Sequence, residues 1–154
     1  MIPLEFHDAT DKENPNHGRH LRFLYDLLRE RLDSANVNIS HKRMPSYEDH
    51  CEFVERGSGY AAWWVIVNES NPIEIFASFY VTERQEVGLF VAKGHQGKGY
   101  GKWILSEFLR EFPGEYYANI HPENCRSKRF FHYMGFEPCQ HTYKFTSKIG
   151  GEET

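Results

Sequence analysis

Apolar and polar residues alternate with a helical period in the first third of the chain. Apolar residues recur every three or four positions from Leu21 to Leu32, which predicts an amphipathic helix over His17–Asp33. Its arginines alternate with acidic residues, so we expect Arg22, Arg29 and Arg31 on a solvated face. Ser46 followed by Asp49 is typical of a helix cap and predicts a second helix that ends near Arg56. The stretch 34–45 between these helices has no period and is expected to be a loop.

The pattern then changes to stretches rich in β-branched and aromatic residues, which indicate strands. Strands are expected at Pro3–Asp8, Ala61–Asn68, Ile73–Val81 and Glu86–Ala92. A helix over Lys102–Phe112 leads to a further strand over Tyr116–His121, and such a crossover makes that strand parallel to Glu86–Ala92.

The last part of the chain is expected to add one helix and a pair of strands. The helix covers Asn124–Met134, and a closing antiparallel pair follows within Phe136–Lys144, interrupted near Pro138. The pattern therefore predicts one α/β domain over 1–154, with an ordered core at about 2–147 and a tail at 148–154. Its sheet is expected to be mixed and mostly antiparallel, with one parallel pair and about four flanking helices.

A glycine-rich turn joins the strand Glu86–Ala92 to the helix that follows it. The turn reads Gln96-Gly97-Lys98-Gly99-Tyr100-Gly101-Lys102. Glycines allow positive φ and a close approach of the backbone to a ligand, and the first amides of a helix favour an anion. The two lysines add positive charge, so a phosphate or pyrophosphate is the simplest ligand. The spacing fits neither the Gly-x-x-x-x-Gly-Lys-Ser/Thr loop nor the dinucleotide fingerprint. Taken alone, the turn could equally be a plain connection.

Two segments resemble motifs of the GCN5-related N-acetyltransferase (GNAT) superfamily. The turn Gln96–Gly101, preceded by the strand Leu89-Phe90-Val91, is similar to the family's acetyl-CoA-binding motif Gln/Arg-x-x-Gly-x-Gly/Ala. Asn124-x-x-Ser127-x-x-x-Phe131-x-x-x-Gly135-Phe136 is similar to the family's segment Asn-x-x-Ala/Ser-x-x-x-Tyr-x-x-x-Gly-Phe. The resemblance implies a GNAT-like fold in which the two parallel strands splay apart, and it implies acetyl-CoA as the cofactor.

The resemblance also implies which residues hold that cofactor. The pantetheine arm would pair with the main chain of the strand 89–91, and the pyrophosphate would lie on the amides from Gly97 to Lys102. Asn124 would hydrogen-bond the pantetheine, while the residues that follow it would line the thiol end. The implied cofactor-binding residues are Leu89, Phe90, Val91, Gln96, Gly97, Lys98, Gly99, Tyr100, Gly101, Lys102, Asn124, Ser127 and Phe131.

Catalysis of amine acetylation needs a base for the ammonium and stabilisation of the leaving thiolate. Glu86 is the first candidate for the base, because family members often place a carboxylate at the start of the motif strand; it could equally be a surface carboxylate. His121 is the second, although a turn residue before Pro122 is the simpler interpretation. The chain has Phe131 where many family members carry tyrosine. Ser127, Tyr133 or a water would then supply the proton, or the thiolate leaves without a dedicated acid.

The acceptor is expected to be a primary amine of a small molecule, such as a nucleotide-linked amino sugar. A protein N-terminus, a lysine, a polyamine or an antibiotic are the alternatives. His41, Arg43 and Tyr47 are candidate substrate contacts, but each fits a solvated loop as well. Because the tyrosine is missing, a non-catalytic acyl-CoA-binding module is a hypothesis from another class. A phosphate site that contacts a nucleotide or RNA is a third.

Charge and composition bear on which partners, metals and compartments the chain fits. A net charge of −4 and a pI near 6.1 argue against a general nucleic-acid binder. The sequence shows neither a secretory signal nor an apolar run long enough for a membrane span, and its three cysteines are expected to be free thiols, so we expect a cytoplasmic protein. The nine histidines lack zinc-like spacing, so no metal is expected. A homodimer is possible, since Trp63, Trp64 and Tyr143 could mark a dimer face or belong to the core.

Overall fold

The computed structural model describes residues 2–33 and 43–147. One sheet holds four antiparallel strands in the order β1 (Leu4–Asp8), β2 (Tyr60–Asn68), β3 (Asn71–Thr82) and β4 (Val87–Val91). The described residues form four α-helices: α1 (His17–Asp33), α2 (Tyr47–Arg56), α3 (Tyr100–Glu111) and α4 (Cys125–Tyr133). A 3₁₀ turn over Lys93–His95 leads from β4 toward α3. The predicted α/β class and the four helices are confirmed.

Side-chain caps begin two of the helices, and the sequence predicts the one at Ser46. The Ser46 hydroxyl accepts the Asp49 amide at 3.1 Å at the start of α2. The Asn124 side chain accepts the Ser127 amide at 3.1 Å at the start of α4. Each cap satisfies an amide that lacks an acceptor within its own helix.

The sheet is covered by helices on both faces, because its strands alternate apolar side chains between them. Helix α3 packs on one face, where the core includes Ile66, Phe79 and Phe108. Helices α1 and α2 pack on the other face, where the core includes Trp63 and Val65. Strand β4 follows the same alternation, so its side chains face the two helical layers in turn.

The predicted parallel pair is not formed as two strands. The structure has no strand over Tyr116–His121; a single parallel bridge joins Glu86 to Tyr117. Val87 N–H donates to the Tyr117 carbonyl at 2.7 Å, and Tyr117 N–H donates to the Gln85 carbonyl at 2.9 Å. Beyond this bridge the segment leaves β4, and Pro122 cannot donate to a ladder. The splayed pair that the resemblance implies is therefore not shown.

The predicted closing pair within Phe136–Lys144 is also wrong. Residues 137–147 are exposed and contain no strand. Its apolar side chains do not pack on the sheet: Tyr143 is 91% and Phe145 is 87% exposed, so no buried face holds the segment as a strand.

The surface observations bear on several of the expectations. No helix among the described residues could cross a membrane. Within the same residues, no group of three or more His, Cys, Asp or Glu could hold a metal ion. All three cysteines are free. Trp63 and Trp64 belong to the core, whereas Tyr143 is 91% exposed. A homodimer stays a prediction.

We expect Gly88→Ala to destabilise the sheet. Tyr80 lies opposite Gly88 in the β3–β4 pair, and a Cβ at position 88 would lie 2.2 Å from its ring. The ring packs between Tyr60 and Phe90, so it cannot move away freely. Overpacking of this kind costs about 1–3 kcal/mol, measured as the free energy of unfolding in urea. Gly94→Ala is the control, since no atom lies within 4 Å of its Cβ position; equal effects of the two substitutions would contradict the prediction.

We also expect stability to fall with acidification below pH 6.5. Burial and the charges of His7 and His17 lower the pKa of His20 to about 4. The charge of the nearby Asp11 raises this pKa but does not outweigh them. Between pH 6.5 and about 4 the unfolded chain binds a proton that the folded chain excludes, so the free energy of unfolding decreases as the pH falls. Urea unfolding at pH 7 and pH 5 should show a loss of about 2 kcal/mol that is absent in His20→Leu. The same pH slope in both proteins would refute this assignment.

Candidate functional site

A cleft of about 770 Å³ opens where β4 and the segment 116–121 part. Its walls are β4, the glycine turn before α3, the first turns of α3 and α4, and the end of α1. Clefts of this volume are typical of small-molecule sites. The elements that meet here are distant in sequence, so the cleft exists only in the folded chain.

The edge of β4 that faces the cleft carries backbone groups available for pairing. The Glu86 carbonyl accepts from Thr82 on β3, while Gln85 and Val87 bond Tyr117 on the opposite side. Successive residues of a strand bond to opposite neighbours, so Leu89 and Val91 also direct their N–H and C=O groups toward the cleft. An extended ligand with amide groups could therefore add to this edge as a strand does.

The glycine turn presents amides to open space at the other end of the cleft. Gly97 and Gly99 adopt φ angles of 75° and 87°, and a Cβ at either position would meet no atom within 4 Å. The first amides of α3 have no acceptor within the helix, and no carbonyl of the described residues accepts from the amides of 97–102. The helix dipole adds to the attraction for an anion here.

Two side chains connect the walls of the cleft at this anion-binding end. Gln96 donates through Nε2 to the Val91 carbonyl at 2.9 Å. Its Oε1 accepts from Arg126 Nη1, also at 2.9 Å. Arg126 is a cleft residue that sequence reasoning missed, because the family segment around Asn124 gives no signal for it. Its guanidinium adds positive charge to the side of the cleft opposite the glycine turn.

Glu86 lies half-buried in the cleft wall with both carboxylate oxygens held. Thr82 Oγ1 donates to Oε1 at 3.1 Å, and Asn119 Nδ2 donates to Oε2 at 3.1 Å. The Asn119 contact crosses from the segment 116–121 to β4, next to the parallel bridge. The carboxylate is thus fixed at the closed end of the cleft, where it can accept a proton directly or through a water.

The structure brings most of the predicted cofactor residues together. All of them except Lys98 line the cleft, as does Glu86. His121 and Tyr133 do not line it: the His121 Nδ1 accepts from the Glu123 amide, and Tyr133 is 67% exposed with its hydroxyl bonded to Lys102.

The predicted substrate contacts lie elsewhere. Arg43 is exposed, and Tyr47 packs against Tyr25 at 5.1 Å beneath the Arg22 guanidinium, so neither lines the cleft. His41 lies outside the described residues.

Arg31 corrects one expectation of the sequence. It does not lie on a solvated face; its guanidinium lies 3.6 Å above the centre of the Phe90 ring and lines the cleft. The signal was available, because position 31 is seven residues after Leu24, on the inward stripe of α1. Tyr60 and Tyr80 line the same wall and were also missed.

A known protein family matches this arrangement. The family model described as an acetyltransferase (GNAT) domain matches residues 59–138, which is more than half of the chain. A search of curated proteins found no match.

Solved structures share the fold. The protein yncA from Salmonella typhimurium, solved with its cofactor acetyl-CoA, is 22% identical over 88% of this chain and 79% of its own, with a TM-score of 0.61. The spermidine/spermine N-acetyltransferase SpeG from Vibrio cholerae, solved in mutant forms, is 17% identical over 90% of this chain and 81% of its own, with a TM-score of 0.64. The ribosomal-protein-alanine N-acetyltransferase from Brucella melitensis is 19% identical over 90% of this chain and 86% of its own, also with a TM-score of 0.64.

The matched region contains the sheet edge, the glycine turn and α4, which together build the cleft. The chain therefore belongs to the GNAT acetyltransferase family, and the predicted activity class and cofactor, acyl transfer from acetyl-CoA, are confirmed at the level of that family.

Proposed function

We propose that this protein transfers an acetyl group from acetyl-CoA to a primary amine of a small molecule. The observation that carries the proposal is the convergence, in one cleft, of an unpaired strand edge, a row of open amides and a held carboxylate. The strand edge fits the pantetheine arm of the cofactor and the open amides fit its pyrophosphate. The carboxylate fits an acceptor amine that must lose a proton.

The residues present fit coenzyme A part by part. The amide-containing pantetheine arm suits the N–H and C=O groups of Leu89 and the N–H of Val91, whose carbonyl already accepts from Gln96. The pyrophosphate suits the amides of the glycine turn, where the missing Cβ atoms of Gly97 and Gly99 leave the approach open. Lys102 and Arg126 supply cations at the same end. When bound, the cofactor supplies a thioester as the acyl donor.

Glu86 is the proposed base. The half-buried carboxylate lies at the closed end of the cleft, and its hydrogen bonds to Thr82 and Asn119 hold it in one orientation. A carboxylate that is fixed in this way can take the proton of an ammonium group through water. His121 and Tyr133 lie away from the cleft lining and are less suited to either proton transfer.

The leaving thiolate needs no tyrosine at position 131. Phe131 lines the cleft and packs against Phe130 and Phe136, so it shapes an apolar wall there. A thiol has a pKa of about 8.5, so its anion is a fair leaving group near neutral pH. Of the two residues predicted as proton donors, Ser127 lines the cleft and Tyr133 does not. We propose departure without a dedicated acid, or with Ser127 as a hydrogen-bond donor.

The nucleotide-linked amino sugar expected from the sequence is one candidate acceptor, beside other small amines and a protein α-amine. The neighbours from Vibrio cholerae and Brucella melitensis are named for a polyamine and for a ribosomal protein, so the fold serves both kinds of acceptor.

We expect thiol release from acetyl-CoA with at least one amine of a panel of amino sugars, polyamines, amino acids and peptides. Glu86→Gln should lower kcat by about 100-fold or more, because general base catalysis contributes about 10²–10⁴-fold. The loss should be smaller at high pH, where the amine is already deprotonated. Tight CoA binding without turnover for any amine would instead support the non-catalytic module.

We expect Gly99→Ala to weaken CoA binding by about 10-fold, because strain at its positive φ shifts the amides and the new Cβ enters the anion site. Calorimetric titration with CoA measures the change. Gly59→Ala is a matched control: Gly59 has a φ of 86° and an equally open Cβ position, but it does not line the cleft. If both variants bind CoA like the unmodified protein, the glycine turn is not the pyrophosphate site.

A further inference from the structure

The acceptor side of the cleft contains a guanidinium that nothing in the described chain neutralises. Arg31 comes from the inward stripe of α1, and its Nε is buried without a hydrogen-bond partner. No carboxylate of the described residues lies within 4 Å of its nitrogens. The segment 34–42 that follows α1 contains no acidic residue at all. Arg31 is partly buried, and a cation that loses part of its hydration is costly unless an anion compensates it.

Two phenol groups share this wall with Arg31. The rings of Tyr60 and Tyr80 lie 5.1 Å apart, and no described residue accepts or donates a hydrogen bond at either hydroxyl. Burial raises the pKa of Tyr60 to about 12 and raises the pKa of Tyr80, while the charge of Arg31 lowers both. Both phenols therefore stay protonated at neutral pH and act as donors close to the guanidinium.

The position of this wall assigns it to the acceptor and not to the cofactor. The side chains of Val87, Leu89 and Val91 pack into the α3 core. Because side chains alternate along a strand, positions 88 and 90 lie on the other face, toward the α1–α2 layer. Glu86 has the same parity as Gly88 and Phe90, so its carboxylate lies on the Arg31 side of the sheet. Tyr80 pairs with Gly88 and lies between Arg31 and Glu86, since the charges of both act on its hydroxyl. The open amides and the cations of the anion-binding end belong to α3 and α4.

We propose, on the basis of the function proposed above, that the acceptor is an amine that also carries a carboxylate, and that Arg31 binds this carboxylate with Tyr60 and Tyr80. The planar fork of a guanidinium matches a carboxylate with two parallel hydrogen bonds. A phosphate would need more positive charge, but Arg31 is the only lysine or arginine among the described residues that line the small pocket of about 60 Å³ behind the wall. The amine end of such a substrate then points toward Glu86.

Matched pairs of an amino acid and its carboxamide test the proposal, because the two members differ in charge but hardly in size. The pairs should span several amine-to-carboxylate separations, from glycine through β-alanine and 4-aminobutyrate to longer ω-amino acids. With acetyl-CoA, at least one acid should be preferred over its amide by about 10-fold or more in kcat/KM, as expected for hydrogen bonds to a charged group. Arg31→Gln should abolish this preference mainly through KM, and Tyr60→Phe should reduce it.

Arg29→Gln is the control, since Arg29 is exposed on the same helix and does not line the cleft; it should keep the preference. CoA binding should be unchanged in all three variants, which also shows that they fold. Equal or better use of the amides in every active pair would overturn the proposal, as would a preference that survives Arg31→Gln.

Calorimetric titration of the same pairs into CoA-saturated protein separates this proposal from the proposed function. If no amine is turned over, the acetyltransferase function fails, yet a carboxylate that binds and loses about 10-fold in affinity in Arg31→Gln still supports the subsite. Absence of carboxylate binding, or equal binding of the amides, overturns the subsite even if other amines are acetylated.

Discussion

The single parallel bridge between Glu86 and Tyr117 is the constraint on which the site depends. It holds the segment 116–121 against β4 at one point and leaves the rest of that edge of β4 without a partner strand. Unpaired N–H and C=O groups are a liability in most sheets, because they invite another chain to pair with them. Here they lie inside a cleft, where a ligand with amide groups can take the place of a strand. Asn119 adds a hydrogen bond to Glu86 beside the bridge, so the same contact that opens the cleft also fixes the carboxylate.

The alternation of side chains along β4 divides the cleft into two environments. Leu89 and Val91 pack toward α3, whose first turn presents the open amides. Gly88 and Phe90 face α1, whose last turn brings in Arg31. A strand with one residue more or fewer before the glycine turn would exchange these faces. Strand parity therefore places the proposed contacts of the cofactor and of the acceptor on different sides of β4.

The aromatic wall shows how packing and recognition share the same residues. Gly88 has no side chain, and this absence lets the Tyr80 ring lie flat over the strand between Tyr60 and Phe90. These rings form a rigid surface, which costs little conformational entropy when a ligand binds. The stacked contact of Arg31 on Phe90 offsets part of the cost of burying the guanidinium, and no described residue accepts a hydrogen bond from its Nε.

By itself, the sequence determined the local elements, among them the glycine turn that the structure places in the cleft. The bounds of α1, the cap at Ser46 and the glycine turn depend on neighbouring residues, and the structure has them where the pattern indicates. Only the tertiary structure decided which segments surround β4 and which side chains reach its free edge. The strand expected at Tyr116–His121 is reduced to one bridge because pairing depends on what the neighbouring segment does, and the arginine expected in solvent at position 31 lies over Phe90 because a distant strand supplies its surface. Helical periodicity shows which residues share a face, but the partner of that face is set by contacts between segments about 60 residues apart, which no local pattern encodes.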